Sequence, residues 1–598
     1  MRLAPWSHIG RAVVVLVGLT LVVGVASAFQ ITFVDPPRLA LQAWPDLTTI
    51  TVRFSAPVQM PVTPAQVRVA GGMSGLHAGT INVMDNQITW TNTGDPFLRG
   101  EMVSVSLHRN IRSTGNVFLI GGRNWMFTIA SGPGTMAWSP RWEFGAASVP
   151  YFIYGGDIDE DNRPDVAAPN EITDDVSIFI NGAGPDRFQN RVDYPVGNKP
   201  SCIFGDDFDN DGDQDLATAE HNSGTVTVLL NNGDGTFGAP TSYPSGWDCR
   251  QVHGGDFDGD NDIDLAATGF LSGEVHLFYN NGAGTFAPGV LYTDVPPGPF
   301  AIRCADLNND WKIDIAVACQ QADSLTVLTN NGLGGFFTSG TYRVASLPWC
   351  LNGNDMDGDG DFDLVSVASF ADRVVVLKND GAGGFPVRNL YPTGSFPLGV
   401  YVADLDGDGD IDVSSSNYSG GTVGVYRNNG TGALTLQATL PCDISGSYSW
   451  AHDLDGDGDL DLSVVDEEAD FLFVWYNGSI ASDVADGGAI FTAKMGLRPN
   501  PLRGGEPMTL SFSPMRESLL YKLAAEGDAD GETAARVDLF GVDGRRLRTL
   551  WQGAANVLPS DLIWDGRGAT GERLANGAYF AVLRCGPYEV SRSLRLIE

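Results

Sequence analysis

The sequence predicts an all-β protein, a seven-bladed β-propeller flanked by two β-sandwich domains. Three observations lead there. An acidic signature spaced D-x-[DN]-x-D-x-x-x-D recurs seven times, beginning at Asp157, Asp207, Asp256, Asp306, Asp355, Asp404 and Asp453, at steps of 49 or 50 residues. Each repeat carries four short strand-like segments, and a fixed period of this length marks a repeat architecture. The two ends of the array complement each other, which argues for a closed ring and against a linear stack.

From the N-terminus, "MRLAPWSHIGR" and the apolar run Ala12 to Val25 precede Ala26-Ser27-Ala28. This is the layout of a cleavable signal peptide over residues 1–28. We therefore expect an exported protein, secreted or on the outer cell surface, with no transmembrane segment in the mature chain. Residues 29–132 read as short alternating strands ("TTITVRFSAPV", "QITWTNTG", "NWMFTIAS"). Residues 133–484 form the repeat array, and residues 485–598 a further strand-rich module.

Within a repeat, an apolar segment leads into the acidic loop ("SCIFGD"), a second strand leaves it ("DLATAE") and a third follows ("TVTVLLNN"). Turns such as "NNGDG" supply Asn and Gly, which tolerate positive φ in tight hairpins. A fourth strand begins near an aromatic or aliphatic residue: Phe188, Phe237, Phe336, Phe385 and Leu434 each lie 19 residues before the next acidic loop, and Phe286 lies 20 before. The seventh repeat ends at "FLFVWYNGSI" without a fourth strand of its own. Trp138 lies 19 residues before Asp157, so the segment 138–149 has the phase of that missing strand. It is expected to complete the last blade.

The acidic loops are candidate cation sites. Carboxylates at positions 1, 3, 5 and 9 of one tight loop converge their oxygens, with the position-7 carbonyl beside them, and a hard cation relieves the repulsion. The expected ligands are Asp157, Asp159, Asp161, Arg163 and Asp165; Asp207, Asp209, Asp211, Asp213 and Asp215; Asp256, Asp258, Asp260, Asp262 and Asp264; Asp306, Asn308, Asp310, Lys312 and Asp314; Asp355, Asp357, Asp359, Asp361 and Asp363; Asp404, Asp406, Asp408, Asp410 and Asp412; and Asp453, Asp455, Asp457, Asp459 and Asp461. The cofactor is Ca²⁺, up to seven ions. Position 6 needs an unusual backbone and carries Gly or Asn in six loops. Trp311 occupies it in the Asp306 loop, beside Lys312, so that loop is expected to bind most weakly. Position 12 is not Glu and the flanks alternate as strands, which excludes an EF-hand.

These loops resemble the FG-GAP/VCBS repeat family, which includes the head propeller of integrin α-subunits, over about residues 135–479. The resemblance implies calcium sites on one rim between the first two strands of each blade, and ligands on the opposite face. The N-terminal segment resembles bacterial Ig-like modules through "VDPP…ITVRFSAPV" and "MFTIAS". The C-terminal segment, with "RVDLFGVDGRRLRTL" and "LANGAYFAVLR", resembles FlgD-like Ig modules close to type IX secretion sorting domains, although Leu502 stands where that family usually has Phe. Both flanks are thus expected to be Ig-like sandwiches.

Composition narrows the partners. With 36 basic against 73 acidic side chains the net charge is −37, which disfavours nucleic acid and anionic membrane. The seven cysteines show no CxxC spacing, and small buried hydrophobes are their expected role. The histidines lack metal-ligand spacing, and no GxSxG, HExxH or phosphate loop occurs, so no catalytic residues are assigned. The expected function is a monomeric, calcium-binding surface or secreted protein that mediates adhesion through an extracellular glycan or protein ligand. Trp247, Phe300, Trp349 and Tyr448 lie upstream of successive loops, where exposed aromatics would form the ligand face, or else pack between blades. The alternative is an extracellular polysaccharide lyase-like propeller; a convergent pair of carboxylates outside the loops, beside those aromatics, would favour it.

Overall fold

The structure is a computed structural model. It describes residues 29–478, apart from 46, 120, 183–186 and 189–190, and, in the C-terminal segment, eight strands between 496 and 597 with parts of their connections. The expected signal peptide lies outside the described residues.

Each repeat folds as one four-stranded antiparallel sheet because its four apolar segments are separated by turn chemistry too tight for any other connection. Sheet two is representative: Pro200–Asp206, Asp215–Glu220, Thr225–Leu229 and Thr241–Pro244, paired in chain order. The second strand is buried at every position, since it has a neighbouring sheet on both faces, whereas the fourth is largely exposed at the outer edge. Seven such sheets occur, numbered here by their acidic loops. The first strand of each touches the first strand of the next, and Gly446–His452 of sheet seven touches Tyr154–Gly156 of sheet one, so the sheets close a ring. The architecture is that of a β-propeller.

Sheet seven takes its outer strand from the far end of the array. Trp142–Gly145 pairs antiparallel with Phe471–Trp475, with Phe144 opposite Leu472 and Trp142 opposite Val474. Apolar clusters fill the wedges between adjacent sheets, for example Val226, Val228, Val252 and Leu265 between sheets two and three.

The N-terminal residues form two four-stranded sheets around a core of their own that includes Val52, Trp90, Val105 and Trp125. This module sits on the acidic-loop rim of the ring and closes that end of the central channel. The described C-terminal strands form a three-stranded and a five-stranded sheet.

The six described cysteines, Cys202, Cys249, Cys304, Cys319, Cys350 and Cys442, are buried free thiols, and burial pushes the Cys202 thiol up to about 12.

Candidate metal centres on an acidic rim

All seven acidic loops join the first and second strands of their sheets and so lie on one rim. Their shape follows from the aspartates themselves. The position-1 carboxylate accepts backbone N–H groups from further round its loop: Asp355 takes those of Gly358 at 2.7 Å and Gly360 at 2.8 Å. Position 6 has positive φ in every loop, from Asn162 at 65° to Gly212 at 112°. Trp311 adopts it too, at 71°, against the expectation that Trp would resist it. Its ring packs edge-on against Trp125 of the N-terminal module at 6.2 Å, and its carbonyl accepts from the Asn124 N–H at 2.7 Å. That docking compensates the backbone strain. Position 4 also has positive φ throughout, from Glu160 at 60° to Gly259 at 84°, which the sequence reading did not anticipate.

The position-9 aspartate does more than line the loop. In sheet one Asp165 accepts the Ile158 N–H on one oxygen at 2.8 Å and the Asn181 N–H on the other at 2.7 Å. Asp215, Asp264, Asp314, Asp363, Asp412 and Asp461 repeat both bonds. Each thereby ties the acidic loop to the loop between the third and fourth strands. Burial, with nearby aspartates, pushes Asp165, Asp215, Asp314, Asp363 and Asp412 up to about 8, despite these donors.

Carboxylate oxygens converge as a cation site requires. Those of Asp157, Asp159 and Asp165 lie within 4.8 Å of one another, as do those of Asp207, Asp209 and Asp215, of Asp256, Asp258 and Asp260, of Asp355, Asp357 and Asp359, and of Asp404, Asp406 and Asp412. Oxygens sharing one Ca²⁺ at 2.3–2.6 Å stand at roughly such separations. Apart from Asp258 Oδ1, which faces Arg109, five loops keep a buried carboxylate oxygen with neither a hydrogen bond nor an ion pair among the described residues, the Oδ1 of Asp159, Asp209, Asp357, Asp404 and Asp459. A buried, unpaired carboxylate oxygen is costly, and a hard cation is the partner this donor set fits. In the seventh loop burial and the neighbouring Asp457 and Asp455 push Asp459 up to about 9.

The remaining two loops are served by arginines of the N-terminal module. Arg109 stands 2.9 Å from Asp258 Oδ1, and Arg38 stands 3.1 Å from Asp306 Oδ2. Lys312 adds a second cation, 2.5 Å from Asp310. Every loop region meets the module: Met73 accepts the Asp157 N–H at 2.7 Å, Arg68 pairs with Asp206 at 2.5 Å, Arg38 donates to the Gly360 carbonyl at 3.1 Å, Ser131 to that of Asp404 at 2.8 Å, and Gly132 to that of Gly458 at 2.5 Å. Residues 29–132 hold seven arginines, no lysine and five acidic residues, a net positive surface for an acidic rim.

The opposite face carries the predicted aromatics, but not as an open patch. Trp247 is 77% exposed, whereas Phe300 and Tyr448 are buried, 3% exposed each, so of the two alternatives these two take packing between sheets. Phe300 fills the gap between Trp349, at 4.8 Å, and Phe270, at 5.6 Å; Tyr448 packs on Phe152 at 4.0 Å. Trp349 is half-buried and donates to the Tyr151 hydroxyl at 3.0 Å. Phe396 and the exposed Phe370 extend the aromatic run past Trp349.

The family model of the FG-GAP-like repeat matches residues 207–267, 256–317, 355–415 and 404–464. No curated protein matches the chain. Among solved structures, BBS1N in complex with ARL6DN is similar at 13% identity, covering 59% of this chain and 98% of that one, with a TM-score of 0.41. A putative 6-phosphogluconolactonase from Bacteroides uniformis is similar at 15% identity, covering 55% and 94%, with a TM-score of 0.40. An Agrocybe aegerita lectin described as recognising non-reducing terminal N-acetylglucosamine is similar at 19% identity, covering 71% and 99%, with a TM-score of 0.36.

Proposed function

We propose that this FG-GAP-like repeat propeller is a secreted or cell-surface calcium-binding protein that mediates adhesion, with Ca²⁺ stiffening the acidic rim and the opposite face engaging a glycan or protein. The observation that carries the reading is the unpaired, buried carboxylate oxygen left in five of the loops. Cations there remove mutual repulsion and fix the loops that link neighbouring strands. The expected ligands are the loop carboxylates with the position-7 carbonyls, the Asp306 loop being the weakest site because Arg38 and Lys312 already neutralise it. Trp247 is the exposed anchor for stacking on a sugar or a protein side chain.

Two measurements test this. Calorimetric titration of the metal-stripped chain with CaCl₂ should give several equivalents, and one or none would refute the rim reading. A glycan and matrix-protein array, run with calcium and again with chelator, should show calcium-dependent binding that Trp247→Ala abolishes. Binding unaffected by that substitution would remove this face from the proposal.

One observation favours the lyase-like alternative. Glu171 and Glu467, outside the acidic loops on adjoining sheets, both act on Tyr151 at the centre of the opposite face, where burial and their charges raise the phenol pKa. Burial pushes Glu467 up to about 8 although Ser447 donates to it, which favours the protonated form that a general acid would need. Incubation with acidic polysaccharides, followed by absorbance of unsaturated products, tests it; no product from pectate, alginate or hyaluronan would discard it.

A further inference from the structure

Three residues before each loop's first aspartate, the seven first strands place one side chain each at the same height in the central channel: Tyr154, Phe204, His253, Arg303, Asn352, Tyr401 and Trp450. All seven line one cavity of about 230 Å³, floored by Arg68, Met73 and Glu101 of the N-terminal module. Most of this belt is aromatic. Tyr401 lies 4.7 Å from Trp450, which lies 5.4 Å from Tyr154, and Phe204 lies 4.6 Å from the His253 ring.

Arg303 is out of place in such a belt. Its Nε is buried while the residue as a whole is half-buried on the channel wall, and among the described residues no carboxylate pairs with it. Arg68, the other channel arginine, does have one, Asp206 at 2.5 Å. Arginine does not shed its proton to escape burial, and a guanidinium withdrawn from bulk water without a partner charge is unfavourable. His253 cannot supply the missing charge. Its Nδ1–H donates to the Gly254 carbonyl at 3.0 Å and its Nε2 accepts from Arg303 Nη1 at 2.8 Å, so it stands neutral. This bond orients the guanidinium. Nε is left buried without an acceptor, and none stands at Nη2 among the described residues. Nε and Nη2 form one edge of the fork that grips carboxylates in two parallel bonds. Phe362 stands 6.0 Å from the guanidinium carbon and supplies only a weak cation–π contact. Two further donors of the belt lack protein partners: the buried Trp450 indole N–H and the Tyr401 hydroxyl, for which the described residues provide no hydrogen bond.

We propose that the channel is an anion site, in which a small organic carboxylate seats its oxygens on the Arg303 edge and its carbon skeleton between the Tyr154, Tyr401 and Trp450 rings. The aromatic walls favour an organic anion over a bare, strongly hydrated inorganic one. The cavity is smaller than the roughly 300–1,000 Å³ of drug-sized ligand sites, so the occupant is of single-ring size. The Arg303 edge lies apart from the Trp247 face, while the far end of the same cavity reaches the acidic rim at Asp206 and Asp256.

The test uses the full chain at fixed calcium. Thermal unfolding is followed against sodium benzoate, sodium glucuronate and sodium phosphate, with benzamide and glucose as neutral controls. In parallel, the purified chain is unfolded in guanidinium and released small anions are quantified by mass spectrometry, so that a trapped occupant is also found. We expect benzoate or glucuronate to raise Tm saturably, or one organic carboxylate to be released per chain. In Arg303→Met the binding should fall at least tenfold, and the released anion should vanish. Arg303→Lys keeps the charge without the fork and should also lose about tenfold, which keeps the test valid if the Met variant fails to fold. No saturable shift and no released anion would overturn the proposal, as would binding by both variants as tight as that of the parent chain. Phosphate acting as strongly as the carboxylates would overturn the organic-carboxylate assignment.

Discussion

Asn181 Nδ2 donates a hydrogen bond to the carbonyl of Leu454, 273 positions further along the chain, at 3.0 Å. The same amide bonds the Pro164 carbonyl of its own sheet at 3.1 Å. Asn231, Asn280, Asn330, Asn379, Asn428 and Asn477 do the same, each reaching the position-2 carbonyl of the preceding sheet's acidic loop. Seven asparagine latches therefore encircle the ring, and the Asn181 latch crosses the seam where its ends meet.

Removing a latch leaves buried carbonyls unpaired, which costs about 1–3 kcal/mol. Asn330→Ala should lower the free energy of unfolding in urea by that amount without changing the fold. Asn181→Ala should cost as much and also loosen the seam. Hydrogen exchange of Trp142–Gly145 should then rise in Asn181→Ala and stay unchanged in Asn330→Ala.

Calcium removal is the second prediction. A site filled at 100 times its Kd adds about 2.7 kcal/mol, so chelation should lower Tm by many degrees. Asp459→Asn, in a loop with an unpaired buried oxygen, should remove one equivalent of bound Ca²⁺ in a calorimetric titration. Asp310→Asn should change the stoichiometry little, because Lys312 already serves that carboxylate.

The docking of the N-terminal module on the rim gives the third. Trp311→Ala removes the ring that packs on Trp125, and Arg109→Ala removes the bonds to Asp258. Together they should expose the channel end of the ring. Limited proteolysis should then release the module, and rising salt should speed the release because the contact pairs arginines with an acidic rim.

Much of this architecture is legible in the sequence because it repeats. The period shows the seven loops, and the phase of Trp138 points to the strand that completes sheet seven. What a repeat cannot display is what stands across from it. The first asparagine of "NNGDG", Asn231, reads as a turn residue, yet positive φ falls on Gly233 and Gly235 and the asparagine reaches another sheet. The pattern leaves open whether Phe300 and Tyr448 face solvent or pack inward, and the aromatics that cover them, Phe270 and Phe152, come from other segments. Trp311 looks like a damaged calcium loop until the Trp125 that receives it is seen. Each miss is a long-range contact, and the local pattern carries no signal for it.

The last prediction concerns pH. Glu220 closes the second strand of sheet two, fully buried, where Thr218 and Thr225 donate to its carboxyl. Burial wins over these donors and pushes it up to about 7 from its ordinary value of 4.5. The folded chain thus binds a proton that the unfolded chain releases. The resulting stability is fully present below pH 4.5, declines as pH rises, and is lost once pH passes about 7. A shift of this size corresponds to roughly 3 kcal/mol at 1.36 kcal/mol per unit. Glu220→Gln carries no charge at any pH and keeps the side chain's shape. It should match the parent chain near pH 4.5 and exceed it by up to that amount at pH 8, in urea unfolding at fixed calcium. A stability difference that stays flat across this range would mean that Glu220 is ionised in the folded chain.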